Sequence, residues 1–180
     1  MKHKLLDQAR HEYSPQRRIA ALIVEGIFFL GILPGAVIYF SSLLDRLLKL
    51  PSIAFGMFNL LLGCGLIVAG LLFAWWSIYV QFTIGRGTPV PIMATQQLII
   101  QKSYAYCRNP MALGTMVAGL GLAILIASIS AVALVLALAA LLLVYIKLVE
   151  EKEMEARFGE AYRAYRKQTP LIIPRFRKRS

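Results

Sequence analysis

An arginine at one end of a long apolar run and paired glutamates at the other are the residues of this chain best placed to do chemistry. Arg108 precedes Asn109 and Pro110, and no charged residue follows until Lys147. Glu150 and Glu151 come next, and four of the nine acids lie within residues 150–155. Proline is well tolerated in a helix's first turn, so Pro110 marks a helix start and Arg108 stands at its N-terminus. A helix N-terminus with a guanidinium makes a site for a carboxylate or phosphate, although the same position suits an arginine that snorkels to lipid headgroups. Tyr104 and Tyr106 lie just upstream of Arg108, and Tyr162 and Tyr165 lie downstream of the glutamates. Brought together beside apolar helices, an arginine, paired acids and tyrosines suit a polar, zwitterionic cofactor next to a lipophilic substrate.

The composition says what positions them. Hydrophobic residues make up 58% of the 180 and charged residues 16%, against roughly 45–50% and 25% in ordinary soluble domains. That excludes a soluble globular chain. The net charge of +11 raises nucleic-acid binding as a class, but the bases lie outside long stretches that contain none, whereas a DNA binder interleaves them with polar residues. No nucleic-acid partner is expected. Cys64 and Cys107 form neither a disulfide framework nor a zinc pattern and read as reduced structural residues, and no metal site is expected. The first 18 residues are polar and basic, and the apolar segment after them is too long for a cleaved signal core.

A bilayer core of about 30 Å takes ~20 helical residues. The uncharged stretch from Pro110 to Ile146 is too long for one span and enough for two, with a break at Ala127-Ser128-Ile129-Ser130. The expected spans are 19–40, 53–80, 110–127 and 129–149. Unbroken apolar runs favour helices over barrel strands. The fold class is therefore all-α: a polytopic membrane protein of about four transmembrane helices in one domain. Residues 1–80 supply the N-terminal helices, and 81–180 the catalytic, cofactor-binding portion. Gly119, Ala123 and Ala127, with Ala133 and Ala137, predict close packing of the third and fourth spans.

Four spans put the N-terminus, the 81–109 loop and the C-terminus on one side. That side holds 18 of the 20 lysines and arginines, so it is expected to be cytoplasmic. The short 127–130 turn makes the last two spans an antiparallel pair, which returns Glu150 and Glu151 to the same membrane face as Arg108. Met154, Phe158, Tyr162 and Tyr165 form an apolar stripe, predicting a C-terminal amphipathic cytosolic helix to about Gln168, closed by Pro170 and Pro174. Glu153 and Arg157 are expected to form an i,i+4 pair on its exposed face. The basic tail 175–179 suits an anionic leaflet. The 85–91 segment, Gly-Arg-Gly-Thr-Pro-Val-Pro, reads as a surface or re-entrant turn rather than a nucleotide loop. Glu25, about two turns into the first span, is costly there; it could face a cavity, pair with Arg17 or Arg18 at the interface, or be protonated.

Tyr104-Ala105-Tyr106-Cys107-Arg108-Asn109-Pro110-Met111-Ala112-Leu113-Gly114 resembles the Tyr-x-x-x-Arg-His/Asn-Pro-x-Tyr-x-Gly signature of the isoprenylcysteine carboxyl methyltransferase and phospholipid methyltransferase superfamily. Residues 150–165 resemble its second signature, Glu-Glu-x-x-Leu-x-x-x-Phe-Gly-x-x-Tyr-x-x-Tyr. The likeness runs over about 85–174. It implies an integral membrane methyltransferase that takes S-adenosyl-L-methionine in a cytosolic pocket at the ends of the last membrane helices. It implies a lipophilic small molecule or lipidated substrate arriving from the bilayer, either an isoprenylcysteine-like carboxylate or a lipid amine. By motif position, Tyr104, Tyr106, Arg108, Asn109 and Pro110 lie at the cofactor. Glu150 and Glu151 bind its amino-acid moiety or steady the methyl-transfer centre, and Tyr162 and Tyr165 line or close the pocket. Arg108, Glu150 and Glu151 are the implied catalytic residues. Asn109 stands where prenylcysteine enzymes have histidine, and Ala112 where the motif has tyrosine; both argue against a prenylcysteine carboxylate. A sterol- or steroid-type membrane reductase using NADPH has a related Asn/His-Pro motif and is the alternative enzyme; a non-catalytic membrane scaffold is the alternative of another class.

Overall fold

The computed structural model describes residues 14–85 and 95–174, and the secondary structure there is all helical. Three helices are long and apolar enough to cross a membrane: Gln16–Leu47, Met57–Thr83 and Ile129–Gln168. Pro110–Leu125 is a shorter apolar helix. The glycine- and proline-rich segment 86–91 and the basic tail 175–179 lie outside the described residues.

The first long helix is α1 (Pro15–Ile27) and α2 (Leu33–Leu47), joined by a wide π-helical segment, Phe28–Ile32. Pro34 falls in the first turn of α2 and has no N–H to donate, which accounts for the loosened turn before it. The helix runs to Leu47 rather than ending at residue 40, so the expected 41–52 loop is shorter. Residues 41–47 contain no glycine or proline, and the charge of Asp45 is satisfied within the bundle. Asp45 accepts from the Ser128 hydroxyl at 2.5 Å and from the Ser130 N–H at 3.1 Å.

Helix α3 (Met57–Thr83) starts at Met57, four residues later than expected, because Gly56 at φ 58° and the Asn59 side chain build a cap before it. Asn59 also donates to the Ile53 and Ile124 carbonyls. Helix α4 (Pro110–Leu125) follows, and the chain reverses at Ala127, φ 54°, where the break was expected. Ser128 caps α5 (Ile129–Tyr145), accepting from the Ala131 N–H at 2.9 Å. A second π-helical segment, Ile146–Glu150, joins α5 to α6 (Glu151–Gln168).

The tightest packing is between α3 and α4, not between α4 and α5. A Cβ on Gly70 would lie 2.5 Å from the Ala118 nitrogen and the Gly114 oxygen. One on Gly114 would meet the Gly70 oxygen at 2.6 Å, and one on Gly121 the Gly63 oxygen at 2.8 Å. Of the small residues expected to pack α4 on α5, Gly119 meets Val135 and Ala123 is fully buried, but Ala133 and Ala137 are exposed. Lipid does not drive helices together through the hydrophobic effect, so close backbone approach matters most. Alanine is ordinarily a better helix former than glycine. Gly70→Ala should nevertheless destabilise the protein by roughly 1–3 kcal/mol, because the clashing atoms are backbone and cannot rotate away. Gly65→Ala, whose Cβ has nothing within 4 Å, is the control. Thermal unfolding in detergent should separate the two, and equal transitions would refute the packing account.

Candidate functional site

Three stretches converge where α4 begins and α5 ends: the approach to α4, the π-helical segment, and the chain after α6. Asn109 is the N-cap of α4, its Oδ1 accepting from the Ala112 N–H at 3.1 Å. Its Nδ2 donates to Glu150 Oε2 at 3.3 Å. One side chain therefore both starts the helix and touches an acid from the other strand of the hairpin. Arg108 forms an ion pair with Glu151 through Nη1, with the two side chains 12% and 11% exposed. The same Nη1 lies 3.4 Å from the Tyr162 hydroxyl. An α-helix separates adjacent residues by about 100°. The wider π-helical turn narrows that angle and helps Glu150 and Glu151 face one cavity.

Helix α6 is not continuous. Gly159, at φ 53° and ψ −126°, breaks it in a conformation that favours glycine. Beyond the break Tyr162 and Tyr165 are buried, and the Tyr165 hydroxyl donates to the Tyr104 carbonyl at 2.6 Å. The Tyr104 hydroxyl donates to Gln81 Oε1 at 3.0 Å and lies 3.3 Å from Ser77 Oγ. After Gln168 the chain passes back along the start of α4. The Arg108 N–H donates to the Pro170 carbonyl at 2.9 Å and the Asn109 N–H to Leu171 at 3.1 Å. These two bonds hold the backbone on which Arg108 and Asn109 are mounted.

The result is a cavity of about 130 Å³ lined by Tyr104, Arg108, Asn109, Glu150, Glu151, Tyr162 and Tyr165 from the sequence-derived set. Its apolar wall comes from Ile99, Met111, Ile146, Met154 and Leu171. Pro110 is fully buried at the helix start, and Tyr106 packs against Trp76 with ring centroids 6.2 Å apart; neither lines the cavity. Gln81, Thr95, Glu153 and Arg157 do line it. Sequence spacing placed the Glu153–Arg157 pair on an exposed face, whereas its side chains are only 17% and 5% exposed and line the cavity, and nothing in the motifs pointed to Gln81 or Thr95. Glu25 is buried in α1 and is not among the residues that line the cavity, and Arg18 lies over the Phe82 ring at 4.1 Å. Cys107 is buried and Cys64 exposed, and both are free thiols.

The two adjacent glutamates have different surroundings. Glu151 has a guanidinium partner. Glu150 has an amide partner and the Glu153 charge nearby; burial first, then that charge, push its carboxyl up to about 7. Burial likewise pushes the Tyr104 hydroxyl up to about 12 and raises those of Tyr162 and Tyr165, so all three are neutral phenols at pH 7.

The sequence profile of the phospholipid methyltransferase family matches residues 58–161, more than half of the chain. The chain belongs to the phospholipid methyltransferase family. No curated protein and no solved structure matches it. Family membership and the long apolar helices together make it an integral membrane methyltransferase. Within this family member the matched span includes α3, α4, α5, both glutamates and Arg157. The returning segment with Tyr162, Tyr165, Pro170 and Leu171 lies just past it, yet its backbone bonds to Arg108 and Asn109 complete the cavity.

Proposed function

We propose that this chain transfers a methyl group from S-adenosylmethionine to an amine of a lipophilic molecule at the cytoplasmic membrane face. The observation that carries the amine is the unequal treatment of Glu150 and Glu151 in a cavity with a third acid, Glu153. Arg108 and Arg157 neutralise Glu151 and Glu153, so the excess charge is that of ionised Glu150, which repels an acceptor carboxylate and attracts an ammonium. Glu150, with no guanidinium partner and a pKa near neutrality, is poised to take the proton that such an amine must lose before it can attack.

The residues present fit the methyl donor. S-adenosylmethionine, when bound, supplies a methyl group on a sulfonium that is already a strong electrophile. Arg108 lines the cavity and its described side-chain hydrogen bonds both come from Nη1, which leaves charged donor capacity on the guanidinium for a carboxylate. With Glu150 ionised, two arginines and three glutamates line the cavity, one negative charge in excess. That single excess charge favours a cationic occupant. The tyrosines, neutral and buried, wall the site without adding charge. Positioning of this kind can contribute up to ~7–11 kcal/mol in good cases.

The membrane arrangement follows the same reading. Helix α4, at 16 residues, is about 24 Å long and, with its α5 partner, makes the third and fourth of four crossings. The basic residues keep both termini and the cavity on the cytoplasmic side. The apolar residues of α6 rest on the membrane or the bundle. The acceptor comes from the bilayer, against the Met111 and Ile146 wall.

Calorimetry of the full chain in lipid nanodiscs should show saturable S-adenosylmethionine binding, and its absence would overturn the donor. Lipid extract incubated with the protein and methyl-labelled donor should yield an acid- and base-stable N-methyl product. A base-labile methyl ester would overturn the amine and favour a carboxylate.

A further inference from the structure

Arg157 is more enclosed than Arg108, Glu151 or Glu153, with its side chain 5% exposed, and no step of the proposed transfer uses it. Its guanidinium donates hydrogen bonds in two directions. Nη1 reaches Glu153 Oε1, one turn back on α6, at 3.2 Å. Nη2 donates to the backbone carbonyl of Thr95, 62 residues earlier in the chain. Thr95 and Ile99 are part of the cavity lining. The segment that carries them is also tied by the Gln96 N–H, which donates to the Gly85 carbonyl at 2.8 Å. Ile99 is pressed against Gly85, where an added Cβ would sit 2.7 Å from its Cδ1.

We propose that Arg157 is a positioning residue that latches the Thr95–Ile99 wall onto α6 and so retains whatever occupies the cavity. The chemistry needs arginine. Its planar fork satisfies a carboxylate and a carbonyl from two nitrogens at once, and lysine offers a single compact point charge. Glu153 neutralises the guanidinium and holds Nη1, which leaves Nη2 for the Thr95 carbonyl. Side chains on a helix lean toward its N-terminus. The Arg157 head therefore covers the turn of Glu153 and Met154, next to Glu150, rather than pointing away from the site. A wall held this way can swing only when the Thr95 contact breaks. Ligand release is then set by the latch, while the groups that grip the ligand are elsewhere.

The latch reading rests on the proposed methyl donor only for its second measurement. The first needs no ligand: hydrogen–deuterium exchange of the full chain in nanodiscs, comparing Arg157→Gln and Arg157→Lys with the parent. Amides of residues 95–101 should exchange at least tenfold faster in Arg157→Gln, with those of the 127–131 turn unchanged. Arg157→Lys should fall between. Unchanged exchange at 95–101 overturns the latch, and so does equal acceleration throughout, which is global loosening. The second is stopped-flow binding of S-adenosylmethionine. Dissociation should quicken at least tenfold in Arg157→Gln, with association within threefold of the parent. Unchanged dissociation overturns the latch. A parent protein that binds no S-adenosylmethionine overturns the proposed donor instead, and the exchange result then decides the latch alone.

Discussion

Arg108→Ala is expected to abolish methyl transfer and to weaken binding of the methyl donor by more than a hundredfold. The Arg108–Glu151 pair is nearly enclosed, so removing the arginine strands a carboxylate in a cavity that already holds Glu150 and Glu153. Breaking a buried pair from one side costs about 3–5 kcal/mol, and each 1.4 kcal/mol is a factor of about ten. Two losses are mixed in that figure: stability of the fold and grip on the donor. The double variant Arg108→Met with Glu151→Leu separates them. With both charges gone there is nothing to strand, so thermal stability should recover to near the parent value or above it. Donor binding should stay lost, since the cavity-lining guanidinium of Arg108 is gone as well. If the double variant regains donor affinity along with stability, Arg108 is a structural residue and the site lies elsewhere. Calorimetry and thermal unfolding on the same preparations give both readouts.

How far this arrangement could be read from the residues depends on whether the cause was local. The turn at Ala127-Ser128 was legible because an uncharged stretch too long for one bilayer crossing has to fold back, and Ser128 is a natural helix cap. Once that turn was placed, the meeting of Arg108 with Glu150 and Glu151 followed from antiparallel geometry. The α3–α4 contact was not legible. Gly63 and Gly70 are small residues in an apolar helix like many others, and only the partner's backbone shows which of them are needed. Gly65, two residues away, touches nothing. Cavity residues outside the motifs were hidden for a related reason. Gln81 sits at the end of α3 and enters the site through Tyr104, while Thr95 contributes a carbonyl, which every residue possesses. The break at Gly159 was masked by the apolar stripe itself, whose four- and three-residue steps from Met154 to Tyr165 read as one unbroken helix. The stripe set the spacing of the side chains, and the glycine set their direction.

Glu150→Gln should leave donor binding within tenfold of the parent and slow methyl transfer to an amine by ~10²–10⁴, the usual contribution of a positioned base. The pH profile is the sharper measurement. In the parent protein the rate should rise with pH through about 7, as Glu150 loses its proton and becomes able to accept one. In Glu150→Gln that limb should vanish. The nearby phenols of Tyr104, Tyr162 and Tyr165 are raised above their ordinary range and do not give the same limb. Stability should move in the opposite sense to rate. Raising a carboxyl's pKa in the folded state means that the folded protein holds a proton which the unfolded chain has already released. Folding is therefore progressively disfavoured between the ordinary carboxylate range, near 4.5, and about 7, and the full penalty persists above that. Glutamine carries no such penalty, so Glu150→Gln should be more stable than the parent at pH 8 and close to it at pH 4. A variant that is slower, more stable in alkali and flat in its pH profile identifies Glu150 as a base held at the expense of the fold. A retained limb near pH 7 in Glu150→Gln would assign the proton transfer to another group.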